Sequence, residues 1–417
     1  MKNEDASFYY RTHNAMSKSW ATFSGGFVIV AAIIAGAAIP ISTAAQNIGA
    51  GLLLLAFLFA LSSWAEFKQA CRQPFAMMGL ALGLALLLGI FWTTASQTEA
   101  WRFILKMRAY YLIPIFLLLF SAAKTRNAVL LSFVAAALLS VVVSCLAAWF
   151  NYPVFLAVPG DWFIFRTHSY HNYFAALLAT GLLAGLLTGK FSGIWRWAAF
   201  FILILISYDI LFLVAGRTGQ LIYILMLGLV FLFWNWRLGL PLAGVIALAA
   251  MQILPNYSPA VQAGLHKAQS DLQAYSQGDS DTSVGLRLEW QKNSLELIGQ
   301  KPLLGHGTGS FETEHARILG PGNEALFSDN PHNDYLWLSV ELGVGGGILL
   351  LALLWAAAWQ GRNLESAWKW TLYAMLAGMG VSTLANSFFT DNITGLAFVL
   401  LTCALLNGPK IAMGSHD

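Results

Sequence analysis

A chain of 417 residues in which 58% are hydrophobic and only 10% are charged does not have the balance of an ordinary soluble domain. Its net charge of +3 comes without a basic stripe, which argues against nucleic acid as a partner. The three cysteines, Cys71, Cys145 and Cys403, fall outside the one long polar segment, so no disulfide framework holds that segment together.

About 20 predominantly apolar residues make one helical span. Twelve runs qualify in chain order: Trp20–Pro40, Ala44–Ser63, Phe75–Thr94, Arg108–Ser121, Ala128–Phe150, His168–Thr188, Ile194–Ala215, Leu221–Trp234, Leu238–Leu254, Tyr335–Trp359, Trp370–Phe389 and Ile393–Leu406. The fourth and eighth are short. None alternates as a membrane barrel strand does, so helices are expected. The polar start Met1–Lys18 leads into a full-length run, which is not the pattern of a cleavable signal peptide. The expected fold class is all-α: a polytopic integral membrane protein with about twelve transmembrane helices. It forms one membrane domain over residues 1–417, with a large, partly helical loop at residues 255–333 between the ninth and tenth helices.

Within that loop, Ser258–Tyr275 carries scattered apolar residues, and Val284–Ile298 places Leu286, Trp290 and Leu297 at helical spacing. Ser276–Ser283 looks like an exposed turn, and Gly305-His-Gly-Thr-Gly309 like a flexible connector. A loop of this length is more often functional than idle.

Lys and Arg in short loops set orientation. With the N-terminus in the cytoplasm, 13 of them face inward, among them Lys2, Arg11, Lys18, Arg126, Lys190 and Lys410. Only 5 in short loops face outward: Arg102, Lys106, Arg108, Arg166 and Arg217. Both termini are therefore expected in the cytoplasm and the long loop outside.

The outward cations stand against that bias and need a reason. Arg102, Lys106 and Arg108 have Glu99 as their only nearby acid. They suit an anionic head group, or else a snorkelling interfacial helix. Arg217 lies in Ala-Gly-Arg-Thr-Gly219 between two apolar runs, where an arginine is costly unless paired or facing water. Its flanking glycines admit a ligand close to the backbone; a structural cap at a tight turn is the other reading. Arg287 has Glu289 and Glu296 nearby, so a solvated charged face is also open to it.

His332 lies in Asn330-Pro-His-Asn-Asp-Tyr-Leu336, at the mouth of the tenth run. Asn333 or Asp334 can cap that helix. The helix dipole and nearby arginines disfavour an imidazolium, leaving the neutral ring a general base needs. A capping or packing role is the plainer alternative.

Three other patterns are weaker. Asp279-Ser-Asp281 imitates a nucleotide-sugar metal motif but sits in a turn-rich stretch with no strand before it. Gly305-x-Gly307-x-Gly309 follows no buried strand, so a dinucleotide site is not expected. His168-Ser-Tyr-His171 lacks a third metal ligand nearby; His168 and Arg166 fit the polar outer face better.

Gly216-Arg-Thr-Gly219, Gly285-Leu-Arg-x-x-Trp290, Pro302-Leu-Leu-Gly-His-Gly-Thr-Gly309, His332-Asn-Asp-Tyr335 and Glu341-Leu-Gly343 together resemble the O-antigen ligase and polymerase superfamily of GT-C-like membrane glycosyltransferases. The likeness covers the last half of the chain; the first half agrees only in hydropathy. It implies an O-antigen ligase of the Gram-negative inner membrane, active on the periplasmic face in lipopolysaccharide synthesis. The donor would be a polysaccharide on undecaprenyl pyrophosphate and the acceptor lipid A–core, with surrounding membrane lipids and without nucleotide sugar, metal or other cofactor.

In this scheme His332 deprotonates the acceptor hydroxyl, and one displacement inverts the anomeric carbon. Arg217 and Arg287, helped by Arg166 or by Arg102, Lys106 and Arg108, hold the leaving pyrophosphate. Asn333, Asp334, His306, His168 and Asp391 are candidates for supporting roles. A polymerase of lipid-linked repeats shares the motifs. A protein-directed oligosaccharyltransferase would be expected to carry a further C-terminal periplasmic part, whereas this sequence stops at Asp417 soon after its last run. A transporter of lipid-linked sugars would place its charges at mid-membrane rather than at one face.

Overall fold

The computed structural model describes residues 25–60, 64–322 and 326–411. Two isolated bridges aside, every regular element among them is helical. The order is α1 (Gly25–Ile41), α2 (Thr43–Ala60), α3 (Trp64–Cys71), α4 (Pro74–Gly89), α5 (Gln97–Lys106), α6 (Arg108–Tyr111), α7 (Ile113–Leu119), α8 (Ala123–Phe150), α9 (His168–Leu187) and α10 (Gly193–Tyr208). Then follow α11 (Arg217–Trp234), α12 (Trp236–Tyr257), α13 (Pro259–Ser276), α14 (Ser283–Gln300), α15 (Phe311–Leu319), α16 (Asp334–Leu342), α17 (Val344–Gln360), α18 (Ser366–Ser382) and α19 (Asn392–Leu406).

Local chemistry starts these helices where the chain needs them. Ser96 and Glu99 form a capping box on α5, Thr282 caps α14, Asn333 caps α16 and Asp391 caps α19.

Among the described residues, six helices are long and apolar enough to cross a membrane, against the twelve runs expected: Pro74–Trp92, Ala123–Phe150, His168–Leu187, Gly193–Leu213, Arg217–Trp234 and Val344–Asn363. α1, α2 and α19 are apolar but shorter. The start of the first run, with Lys2, Arg11 and Lys18, lies outside the described residues. Two expected spans are broken. The fourth divides at Leu112, where Pro114, which lacks an N–H, opens α7. The tenth divides at Gly343, whose φ of +71° ends α16 and redirects α17. In the long loop, the expected helices are α13 and α14.

The polar groups gather at two ends of the bundle. α9 starts at His168 and ends near Lys190, which pairs with Glu365 at 2.5 Å. α19 starts at Asn392, bonded by Arg108, and ends at Asn407, bonded by Arg126. α9 spans about 30 Å at 1.5 Å per residue, the thickness of a bilayer core. Arg126, Lys190 and Lys410 thus lie at one end, and Arg108, His168 and Arg217 at the other.

Gly305–Gly309 is not the flexible connector its glycines suggest. His306, Gly307 and Thr308 are buried, and Thr308 donates to Leu86 O at 2.6 Å. Gly307 has φ +93° and lies so close to the Thr93 backbone that a side chain cannot fit. The buried Glu341 carboxylate accepts the amides of Gly309, Ser310 and Phe311 and the Trp337 indole, capping α15 across the chain. Removing it orphans several buried donors at ~1–3 kcal/mol each. We expect Glu341→Ala to destabilise the fold by about 3 kcal/mol or more, read as a large fall in Tm in detergent; an unchanged Tm would refute this anchoring.

Candidate functional site

The site begins at the end of α10. There Asp209–Leu213 winds as one π-helical turn, a feature frequent at functional sites. A buried carboxylate opens this turn. Asp209 accepts from Ser144 Oγ of α8 at 2.5 Å and faces His171 Nε2 of α9 at 2.7 Å; the other nitrogen of His171 meets Ser140 Oγ at 3.1 Å. Gln220 Nε2 donates to the carbonyls of Ile210 and Val214. Ser258 Oγ donates to Leu211 O, and Trp162 N to Leu213 O.

The turn that follows is fixed from outside. Asp161 accepts the Ala215 amide at 2.9 Å and meets His168 Nδ1 at 3.2 Å. Gly216 takes φ +141°, and the side chain of Asn172 packs against Gly216 and Gly219 where Cβ atoms would stand. Arg217 is therefore delivered at the first residue of α11 by a rigid, buried assembly.

Arg217 and Arg287 line one cavity of about 360 Å³, together with Lys267, His168, Thr218 and Asn386. Arg217 donates to Gly264 O of α13 at 3.5 Å, and Arg287 to Ser283 Oγ at 3.4 Å. Burial pushes the Arg287 guanidinium below its ordinary pKa, the charge of Arg217 pushes the same way, and Asp271 opposes both. Two guanidiniums held this close form a pre-built site for an anion.

On α14, Trp290 lies three residues beyond Arg287 and so on the same face. Its ring stacks on His332, with centroids 5.1 Å apart and planes 25° apart. His332 takes a left-handed backbone, φ +51°, uncommon for a side-chain-bearing residue. Asn330 Oδ1 accepts its amide at 3.0 Å and Ser387 Oγ braces Asn330. Burial, then the charges of Arg287 and Lys106, push its imidazole down to about 4, with Asp329 opposing. The sequence reading named the dipole and the arginines; burial is the larger cause.

The neighbours of His332 are otherwise engaged. Asn333 Oδ1 accepts the Leu336 amide. Asp334 is fully buried and accepts from Phe389 N, Thr390 Oγ1 and Thr383 Oγ1 at 2.7, 2.6 and 3.1 Å. Tyr335 donates to Gly380 O. Among the described residues, only the His332 ring in this motif has no hydrogen-bond partner.

Residues 199–351 match the family model described as O-antigen ligase. That segment holds Arg217, Arg287 and His332. That match supports a likeness to the O-antigen ligase and polymerase superfamily over this segment. It is also similar to an uncharacterized protein of Haemophilus influenzae, 25% identical over 126 residues. That alignment covers 29% of this chain and 32% of the relative, so the chain spans about a third of the relative it matches.

The cations expected beside the pyrophosphate do not all meet. Arg166 is buried at the start of the bundle, where it donates to Thr43 Oγ1, Ala38 O and Gln46 Oε1; burial pushes its guanidinium down to about 10. It ties α1 and α2 to the loop before α9 and does not line the Arg217 cavity. Arg102, Lys106 and Arg108 belong to two other cavities, and Arg108 is bonded to Asn47 and Asn392. His306 points into the core, with Nε2 at 3.0 Å from Leu297 O and Nδ1 at 3.5 Å from Glu314. Asp391 caps α19 and accepts from Tyr170. His168 lines the Arg217 cavity, while His171 faces Asp209 instead.

Asp209, Asn172, Lys267, Asp271 and Asn386 were not singled out from sequence, and His171 was weighed only as a metal ligand beside His168. Asp209 carried a signal, since a lone aspartate inside an apolar run is expensive and marks function or pairing.

Proposed function

We propose that this chain is an O-antigen ligase, moving a polysaccharide from undecaprenyl pyrophosphate to a sugar hydroxyl of lipid A–core. The observation that carries the reading is one cavity lined by Arg217 and Arg287, with His332 close enough for Arg287 to shape its charge. His332 takes the proton of the acceptor hydroxyl. The freed oxygen attacks the anomeric carbon, and the bond from that carbon to the pyrophosphate oxygen breaks. The leaving group departs as undecaprenyl pyrophosphate, and one displacement inverts the centre.

Negative charge grows on the pyrophosphate as the bond breaks. Two preorganised guanidiniums lining one cavity stabilise it without rearranging at that moment. In this scheme they do the work a divalent cation does in other glycosyltransferases. The gathering of Arg217 and His168 at the end of the bundle away from Lys190 supports a periplasmic site with cytoplasmic termini.

The test is transfer by purified protein from undecaprenyl-pyrophosphate-linked glycan to lipid A–core in EDTA. A ladder on the core that vanishes with His332→Ala is the expected result. Longer lipid-linked glycan with no product on the core would overturn the ligase reading in favour of a polymerase. Activity that needs added metal would overturn the role given to the arginines.

A further inference from the structure

Two cavities away from the Arg217 pair share Lys106. The first, of about 170 Å³, runs between α2, α6 and the start of α19. Ala50, Gly51, Leu54, Leu112 and Leu396 make it apolar, and Lys106 and Arg108 stand in its wall. Its one acid, Asp391, is already bonded to the Ile393 and Thr394 amides and the Tyr170 hydroxyl. α2 presents Ile48, Leu55 and Leu58 to the surroundings, so the groove lies on a lipid-facing flank.

The second cavity, of about 110 Å³, is polar. Arg102, Lys106, Glu312 and Asp329 line it, as do Glu99 and Glu341, whose carboxylates are engaged as helix caps. Lys106 and Asp329 both act on the charge of His332, so this cleft lies toward the candidate base. Between the two runs α5, which carries exposed Trp101 and Leu105 beside Arg102, as an interfacial helix does.

We infer that these cavities form one track for a phosphorylated glycolipid, the acceptor substrate. An apolar groove, then three cations, then a cleft of carboxylates follow the order of an amphiphile: lipid chain, phosphate, sugar hydroxyls. Lys106, bent over the Trp337 ring at 4.3 Å, sits at the junction. The inference rests on the transferase reading for the word acceptor, but the track itself is a binding claim. It assigns Lys106, Arg108 and Arg102 to the acceptor and leaves the donor pyrophosphate to Arg217 and Arg287.

Gly51 gives a clean probe, because a Cβ added there meets nothing within 4 Å. A larger side chain can therefore start from that wall of the groove without a clash at its Cβ. The full chain, in phosphatidylcholine nanodiscs, is titrated with lipid A carrying its core sugars and, separately, with undecaprenyl pyrophosphate. Gly51→Phe and Lys106→Ala are each expected to weaken lipid A–core binding at least tenfold and to leave undecaprenyl pyrophosphate within twofold. Arg217→Ala is expected to do the reverse. The proposal falls if wild-type protein does not bind lipid A–core, if both variants bind it as wild type, or if they lose the donor instead. Should Gly51→Phe unfold, Lys106→Ala decides alone, since its side chain only covers Trp337. Binding without any transfer would count against the transferase reading and leave the track standing.

Discussion

His332→Ala is expected to cut transfer by about 10²–10⁴-fold, the contribution of a positioned general base. The fold should survive the change. Among the described residues the side chain has no hydrogen bond to lose, only the Trp290 stack, and the backbone bond to Asn330 stays. Histidine already bears the roughly 1 kcal/mol that a Cβ costs in the left-handed region, so alanine adds little strain and only the lost Trp290 stack should lower Tm, modestly. His332→Gly lacks that strain and controls for it.

The pH profile follows from the same environment. With its imidazole held down at about 4, the base form of His332 dominates throughout neutral pH. Transfer should stay level from about pH 5 to 8 on account of this group and decline only as pH falls through its lowered pKa. Lys106→Met removes one of the charges that lower that pKa, so the acid limb should move to higher pH. Wild-type activity falling with a midpoint near the ordinary histidine value would show that the ring is not held neutral. Full activity in His332→Ala would end its role as base.

The sequence displayed the class of this fold more fully than its breaks. Hydropathy averages over a window, so it located the apolar runs but passed over Leu112 and Gly343, where one residue redirects the helix. α14 was legible because Leu286, Trp290 and Leu297 keep helical spacing, and α13 from its scattered apolar residues. Arg217, Arg287 and His332 stood out because such side chains are expensive or reactive where they lie. What each cation touches was not legible. Arg166 and Arg217 look alike in sequence, yet one meets Thr43 and Gln46 from distant helices and the other lines a cavity. Lys267 and Asn386 reach that cavity only through the way α13 and the end of α18 close over α11. The glycine-rich 305–309 stretch misled for the opposite reason: glycine marks close packing as often as looseness, and only the contacts distinguish them.

Arg217→Lys and Arg287→Lys are each expected to reduce kcat/KM by about 10²-fold, and the alanine variants by about 10³-fold, as for lost donors to a developing charge. Lysine keeps the charge but not the planar fork that grips a phosphate through two parallel bonds. The geometry sharpens this for Arg217, whose Cγ lies against Gly264, where a Cβ would come within 2.9 Å of it. The stem of Arg217 thus packs on the α13 backbone, which fixes where its head group is delivered. Because both guanidiniums hold one leaving group, the double lysine variant should lose less than the product of the single losses.

The free protein should respond in the opposite sense. Arg287 is disfavoured by burial and by its neighbour Arg217, so without an anion the pair works against the fold. Arg287→Gln is therefore expected to leave Tm unchanged or raised, even as transfer collapses, the trade expected where a site is strained for function. Inorganic pyrophosphate should raise the Tm of the wild type and not that of the double variant. Near-wild-type transfer by both lysine variants, or the same pyrophosphate response in all of them, would remove the leaving group from this cavity. A fall in Tm for Arg287→Gln with normal transfer would make Arg287 a structural residue of α14 instead.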